Sequence, residues 1–211
     1  MNYTQYTDEE IVKKLQSTEI SLQEKNFLIE LLVNKYKDQL LSFIYNFGKN
    51  RITLQDAEEI VIETFLKFFN NIKNFKFKSS VETYIYRIAI NLTKNFLKSK
   101  HLRNVKRLNI VPIEELEKDI PHNENLENII IYEDSQQEIK NLVLNLINRL
   151  PEKQKLVLHL AVYEKMSYKQ IATILNTTVS SVESLLFRAK QNIRKFIIQD
   201  KGLAKKFNIE L

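Results

Sequence analysis

Apolar residues along the chain return with the period of an α-helix. From Ser21 onward, Leu28, Leu31, Leu32, Tyr36, Leu40, Phe43, Ile44 and Phe47 share one face until Gly48, which predicts a long helix. Ala57, Ile60, Val61, Phe65, Phe68, Phe69 and Ile72 predict a second over about 54–72. Ile85, Ile88, Ala89, Leu92 and Phe96 predict a third over about 81–100. Helix starts are marked by capping-box spacing at Thr7/Glu10, Ser21/Glu24, Ser79/Glu82 and Ser135/Glu138, with Thr53/Asp56 a weaker relative. Residues 8–100 therefore read as one helical domain. Residues 101–134 hold two prolines, an acidic run and little periodicity, and read as a linker with at most short helical pieces. Helices at about 136–149, 152–163, 168–175 and 179–198 make a second domain, 135–198. The expected fold is all-α, with two small helical domains joined by an acidic linker, the second containing a helix-turn-helix.

Composition agrees. Two glycines and three prolines in 211 residues leave little turn material for a sheet. With no cysteine, disulfides, thiolate catalysis and cysteine–zinc sites are excluded. The polar, acidic start MNYTQYTDEE is unlike a signal peptide, and no apolar run approaches the ~18–20 residues that span a bilayer. A cytoplasmic protein without membrane insertion is expected.

Charge is unevenly placed. Residues 1–91 balance 12 basic against 12 acidic groups, whereas 92–111 carry six basic groups and no acidic one. Residues 112–138 carry nine acidic groups against Lys118, and 139–211 carry 13 basic against five acidic. Two basic regions flanking an acidic one suggest two contacts with a polyanion. For either patch alone, solvated lysine-rich helix faces are an equal explanation.

The second basic region contains a recognisable device. Between Tyr168 and Phe187 the order is a helix capped by Ser167 with Ile171 and Leu175 inward, a turn at Asn176, and a helix capped by Thr178. Ala172 is small where the two helices cross, and Asn is the best substitute for glycine in a left-handed turn. Val182, Leu186, Ala189 and Ile193 pack inward, which leaves Ser180, Ser181, Glu183, Ser184, Phe187 and Arg188 outward. Small polar residues there suit base edges in the major groove, and Arg188, Lys190, Arg194 and Lys195 suit phosphate. An ordinary αα-hairpin lacks this set of residues at fixed offsets.

Leu150–Leu158, Met166–Ala172 and Ser181–Lys190 together resemble region 4 of bacterial sigma-70-family initiation factors, in particular the small extracytoplasmic-function (ECF) group. The resemblance implies that this domain binds the promoter −35 element, through Ser180, Ser181, Glu183, Ser184, Phe187, Arg188 and Lys190, and the flap of the polymerase β subunit. Two features depart from the family pattern. Asn176 stands where glycine is common, and Glu183 and Leu185 stand where basic residues are frequent. Glu183 would favour a cytosine amino group or repel phosphate.

The first domain decides the class. Asp56–Lys67 resembles region 2.2 of that family, with Asp56, Glu59, Ile60, Glu63 and Lys67 on the face that docks the β′ coiled coil of core RNA polymerase. Taken alone, those residues read more readily as a solvated acidic surface, and their order and distance relative to the next motif reverse that preference. Phe75–Lys98 resembles regions 2.3 and 2.4, with Tyr84 in place of the family's tryptophan. The implied −10 residues are Lys78, Ser79, Ser80, Tyr84, Arg87, Asn91, Lys94, Asn95 and Lys98. Their chemistry fits independently: cations attract the phosphates of an opened strand, amides read base edges, and an aromatic face holds an unstacked base. Tyr84 has a core position as its alternative. The resemblance further implies an acidic linker lying in the polymerase's basic channels.

No enzyme is expected and no cofactor. His101, His122 and His159 lack metal spacing, and two glycines exclude a glycine-rich phosphate loop. The competing functions are a stand-alone helix-turn-helix regulator and a protein that binds only other proteins. An anti-sigma partner is common in the ECF group, although no residue here encodes one.

Overall fold

The computed structural model describes residues 6–48, 51–108 and 142–200, with backbone alone over 101–108. Among these residues there are helices and no strand. Helix α1 is Asp8–Gln16, α2 Leu22–Phe47, α3 Leu54–Asn70, and a 3-10 turn spans Ile72–Asn74. Helix α4 is Val81–Leu108, α5 is described over 142–148, and α6, α7 and α8 are Glu152–Val162, Tyr168–Leu175 and Val179–Gln199. The chain divides into two compact units, Met1–Leu97 with Pro151–Gln191 and Lys98–Leu150 with Asn192–Leu211.

Capping explains most helix starts. Thr7 and Thr53 form complete reciprocal boxes with Glu10 and Asp56, so the Thr53 site is stronger than its sequence form suggests. Ser21 accepts from the Glu24 amide, but the Glu24 carboxylate turns to Lys14 at 2.7 Å and leaves the box half made. The expected Ser79/Glu82 box is replaced one residue on. Ser80 Oγ accepts from the Thr83 amide at 3.2 Å, which sets α4 to begin at Val81. The Ser135/Glu138 box, the acidic run, His122 and most of the linker lie outside the described residues. Helix α4 passes its expected end near 100 and runs to Leu108.

Gly48 ends α2 through contact rather than dihedral. Its φ is −86°, but an added Cβ would fall 2.2 Å from Ile52 Cδ1, and Ile52 is buried.

The core of the first unit is aromatic and aliphatic. Phe43, Phe47, Phe68 and Tyr86 are fully buried with Leu28, Leu32, Leu40, Ile44, Ile85 and Ile90. Each such large apolar side chain stabilises by ~1.5–3 kcal/mol relative to exposure. Phe43 stacks on Phe47 at 6.0 Å and meets Tyr86 edge-on at 5.4 Å, tying α2 to α4. Helix α6 joins the same core, with the His159 ring edge-on to Phe43 at 5.3 Å. Lys155 Nζ donates to Phe47 O at 2.8 Å, and Tyr86 Oη donates to the Glu164 carboxylate.

Burial sets the protonation of this junction. It depresses His159 to about 4, with the Lys155 charge adding to the effect, so the imidazole is neutral at pH 7. Its Nδ1 is buried with no hydrogen-bond partner, and Glu164 Oε1 lies 3.6 Å away. Burial also raises Glu164 and Glu82 above the ordinary carboxylate range.

Candidate nucleic-acid interface

The helix-turn-helix forms as its residue pattern dictates. Ser167 makes a full capping box with Gln170, and Asn176 adopts the left-handed conformation at φ 51°, ψ 54°. Thr178 Oγ1 accepts from the Ser181 amide at 3.1 Å at the start of α8. Ile171, Ala172, Ile174, Val182, Leu186 and Ala189 are buried, so Ile174 joins the expected inward set while Leu175 and Ile193 are only half-buried. Ser180, Glu183, Ser184, Phe187, Arg188 and Lys190 are exposed and Ser181 is half-buried. Phe187, at 64% exposure, is a large apolar side chain standing on an otherwise polar face.

A second surface gathers at the start of α4. Tyr84, Arg87 and Asn91 follow at spacings of three and four on α4, and Lys94, Asn95 and Lys98 lie three, four and seven beyond Asn91, hence all on one face. Asn91, Asn95 and Lys98 are exposed; Tyr84, Arg87 and Lys94 are half-buried. Tyr84 is neither core nor free. Its ring leans on Phe75 at 4.9 Å and Phe68 at 6.0 Å while the Arg87 guanidinium sits 5.2 Å from its centroid. The loop before it presents Lys76 and Lys78 to solvent, with Ser79 and Ser80 half-buried. Ser80 is committed to capping, its hydroxyl 2.7 Å from Thr83 Oγ1. Phe77 has φ 54°, a left-handed backbone that costs a bulky residue ~1–2 kcal/mol. Its ring meets Phe75 edge-on at 4.9 Å.

Helix α3 carries a third surface. Glu59, Glu63 and Lys67 are exposed, with Glu63 and Lys67 paired at 2.9 Å. Two corrections apply. Ile60 is 3% exposed and belongs to the core beneath this face, because it falls on the same helical stripe as Ala57 and Thr64. Asp56 is half-buried and its carboxylate accepts from the Thr53 amide at 2.9 Å, so it holds the helix start. The face instead contains Ile62 and Leu66, which are 60% and 58% exposed and which the apolar stripe did not single out. The signal for Ile62 was the unbroken run Ile60-Val61-Ile62, and for Leu66 the pair Phe65-Leu66, each more apolar residues in sequence than one buried stripe takes.

Fold and surfaces thus define a helical protein with a helix-turn-helix and a separate aromatic and basic surface. Comparison with known proteins gives the family. The Sigma-70 region 2 family matches residues 32–103, and the family described as Sigma-70, region 4 matches residues 140–193. The RNA polymerase sigma-H factor of Pseudomonas aeruginosa is 32% identical over 200 residues, covering 91% of this chain and 94% of that protein. The ECF RNA polymerase sigma-E factor of Haemophilus influenzae is 28% identical over 214 residues, covering 92% and 96%. Among solved structures, CnrH in complex with the cytosolic domain of CnrY superimposes with a TM-score of 0.63 at 15% identity, covering 92% of this chain and 99% of that one. The sigma factor RpoE of Bartonella quintana, in complex with the anti-sigma factor NepR, gives 0.59 at 18% identity, covering 84% and 99%. The chain belongs to the sigma-70 family, in its ECF group, whose members bind core RNA polymerase and promoter DNA in promoter-specific transcription initiation. No helix among the described residues is long and apolar enough to cross a membrane.

Proposed function

We propose that this protein recognises both the −10 and −35 elements of its promoters and drives strand opening at the first of them. The observation that carries the reading is the α4 stripe with its aromatic neighbour. Arg87, Asn91, Lys94, Asn95 and Lys98 supply cations and amides along one face of the helix, beside a Tyr84 ring held by Phe75 and Arg87. Such a surface suits a single strand whose bases have left the stack, more than a closed duplex. Lys78, Ser79 and Ser80 lead the strand toward it. Ser180, Ser181, Glu183, Ser184, Phe187, Arg188 and Lys190 form the −35 contact, the helix start facing bases and the later cations facing phosphate.

Glu59, Glu63 and Lys67, with Ile62 and Leu66 beside them, dock the β′ coiled coil, and the helix-turn-helix part also meets the β flap. Functionally, residues 8–100 carry the −10 and β′ contacts and residues 135–198 the −35 and β-flap contacts, with 101–134 joining them. The protein is not an enzyme and works in the cytoplasm, where polymerase meets the genome. An anti-sigma protein is proposed as its regulator, by analogy with NepR for the Bartonella factor.

Run-off transcription with core polymerase on fragmented genomic DNA tests the reading. Discrete start sites sharing upstream elements are expected. A holoenzyme that forms but yields no discrete start, or a chain that alone shifts palindromic DNA as a symmetric dimer, overturns it.

A further inference from the structure

Helix α1 lies before the residues matched to Sigma-70 region 2, which begin at 32, yet it is bound to the loop that leads into α4. The half-buried Gln16, its last residue, donates from one amide nitrogen to two carbonyls, Ile72 O at 2.8 Å and Phe75 O at 2.9 Å. Those carbonyls bracket the 3-10 turn Ile72–Asn74, itself closed by the Phe75 amide donating to Ile72 O at 3.1 Å. One turn earlier on α1, Lys13 Nζ stands 5.7 Å from the Phe77 ring centroid. Phe77 is the residue held in the left-handed region at φ 54°. A bulky side chain keeps that backbone only where its surroundings fix it. From Phe77 the contacts continue to Phe75 at 4.9 Å, from Phe75 to Tyr84 at 4.9 Å, and from Tyr84 to Arg87 at 5.2 Å.

From this geometry we infer that Gln16 is a positioning residue for promoter opening, fixing the Phe75–Ser80 loop and the Tyr84 ring in the arrangement that receives an unpaired base. Lys13 assists by holding the Phe77 ring. The inference rests on the −10 reading above and adds α1 to that apparatus. Its physical basis is that two carbonyls share one donor. Losing the donor frees both ends of the 3-10 turn at once and, with Phe75, the start of the loop, so the strained Phe77 then relaxes to an extended conformation. The aromatic platform loses its edge while the helices that bind polymerase are untouched.

The test uses holoenzyme formed with the full chain, on a promoter first mapped by run-off transcription. Gln16→Met keeps the side-chain length and removes the donor. The probes are the promoter duplex with 2-aminopurine in its −10 region, and a single-stranded oligonucleotide of the non-template −10 strand. Open-complex formation and oligonucleotide affinity are expected to fall by about tenfold, in line with the sensitivity of reactive geometry to small displacements. Core affinity should stay within about twofold, and the preference among the four bases at the captured position should flatten. Lys13→Gln, a surface change with no demand on folding, should show the same signature more weakly.

Opening by the Gln16→Met and Lys13→Gln holoenzymes at the wild-type rate overturns the inference. So does a loss of opening that only follows a loss of core affinity with base preference intact, since that is the mark of a fold brace. Failure of the wild-type holoenzyme to open any promoter is distinguishable from both and removes the −10 reading itself.

Discussion

At the scale of single residues, two side chains show opposite relations between pattern and placement. Asn176 was legible because a turn between two amphipathic helices demands φ > 0, and Asn tolerates it better than other non-glycine residues. Asn176→Ala is expected to lower stability by ~1 kcal/mol, and Asn176→Gly to change it by a few tenths only, both read from urea midpoints at constant m. His159 carries no such local signal: its sequence neighbours show only that it lacks metal spacing, yet it is 4% exposed with an unpartnered Nδ1. Its folded pKa of about 4 lies below the ordinary 6.5, so the unfolded chain binds the extra proton first. Stability therefore falls as pH drops from about 6.5 toward 4, by up to ~3 kcal/mol from this group. The raised Glu82 and Glu164 act in the other direction, contributing stability at low pH that is lost as pH rises through their folded values. Removing the imidazole with His159→Leu should flatten the decline between pH 6.5 and 4 in thermal melts. An unchanged slope would mean that water reaches the ring.

Helices were the most legible elements. The start and end of α2 and both helices of the helix-turn-helix follow from caps and period, because those signals are local. The outer face of α3 was less so, since Ile60, Ile62 and Leu66 are equally apolar in sequence and only packing sorts them. Glu59→Lys with Glu63→Lys leaves the Thr53–Asp56 cap in place, and the Glu63–Lys67 pair it breaks is exposed and worth little. The double variant should therefore keep its melting temperature while losing core-polymerase affinity by at least about tenfold in a co-sedimentation assay. Asp56→Ala should do the reverse, costing ~1 kcal/mol of stability through the lost cap with a smaller effect on core binding. Equal effects on binding from both would return Asp56 to the docking face.

On the scale of the whole molecule, the packing of α6 and the Glu164 that follows it against α2 and α4 had no sequence signal at all. Periodicity assigns a lysine to solvent, but Lys155 is 7% exposed, and its ammonium meets Phe47 O, 108 residues earlier in the chain. That carbonyl belongs to the last turn of α2, where carbonyls lack helical partners and the helix dipole favours a cation. Lys155 also raises the cost of protonating His159, one helical turn away on α6. Lys155→Met preserves the aliphatic stem and removes both effects. The carbonyl is left buried without its donor, so a loss of ~1–3 kcal/mol is expected in urea unfolding. The His159 pKa should rise in an NMR titration, because one of its two depressing causes is gone. Since α2, α4 and α6 share one core, hydrogen exchange should quicken in α2 as well as in α6. Faster exchange confined to α6, with α2 and α4 unchanged, would show that this packing opens independently of the aromatic core beneath it.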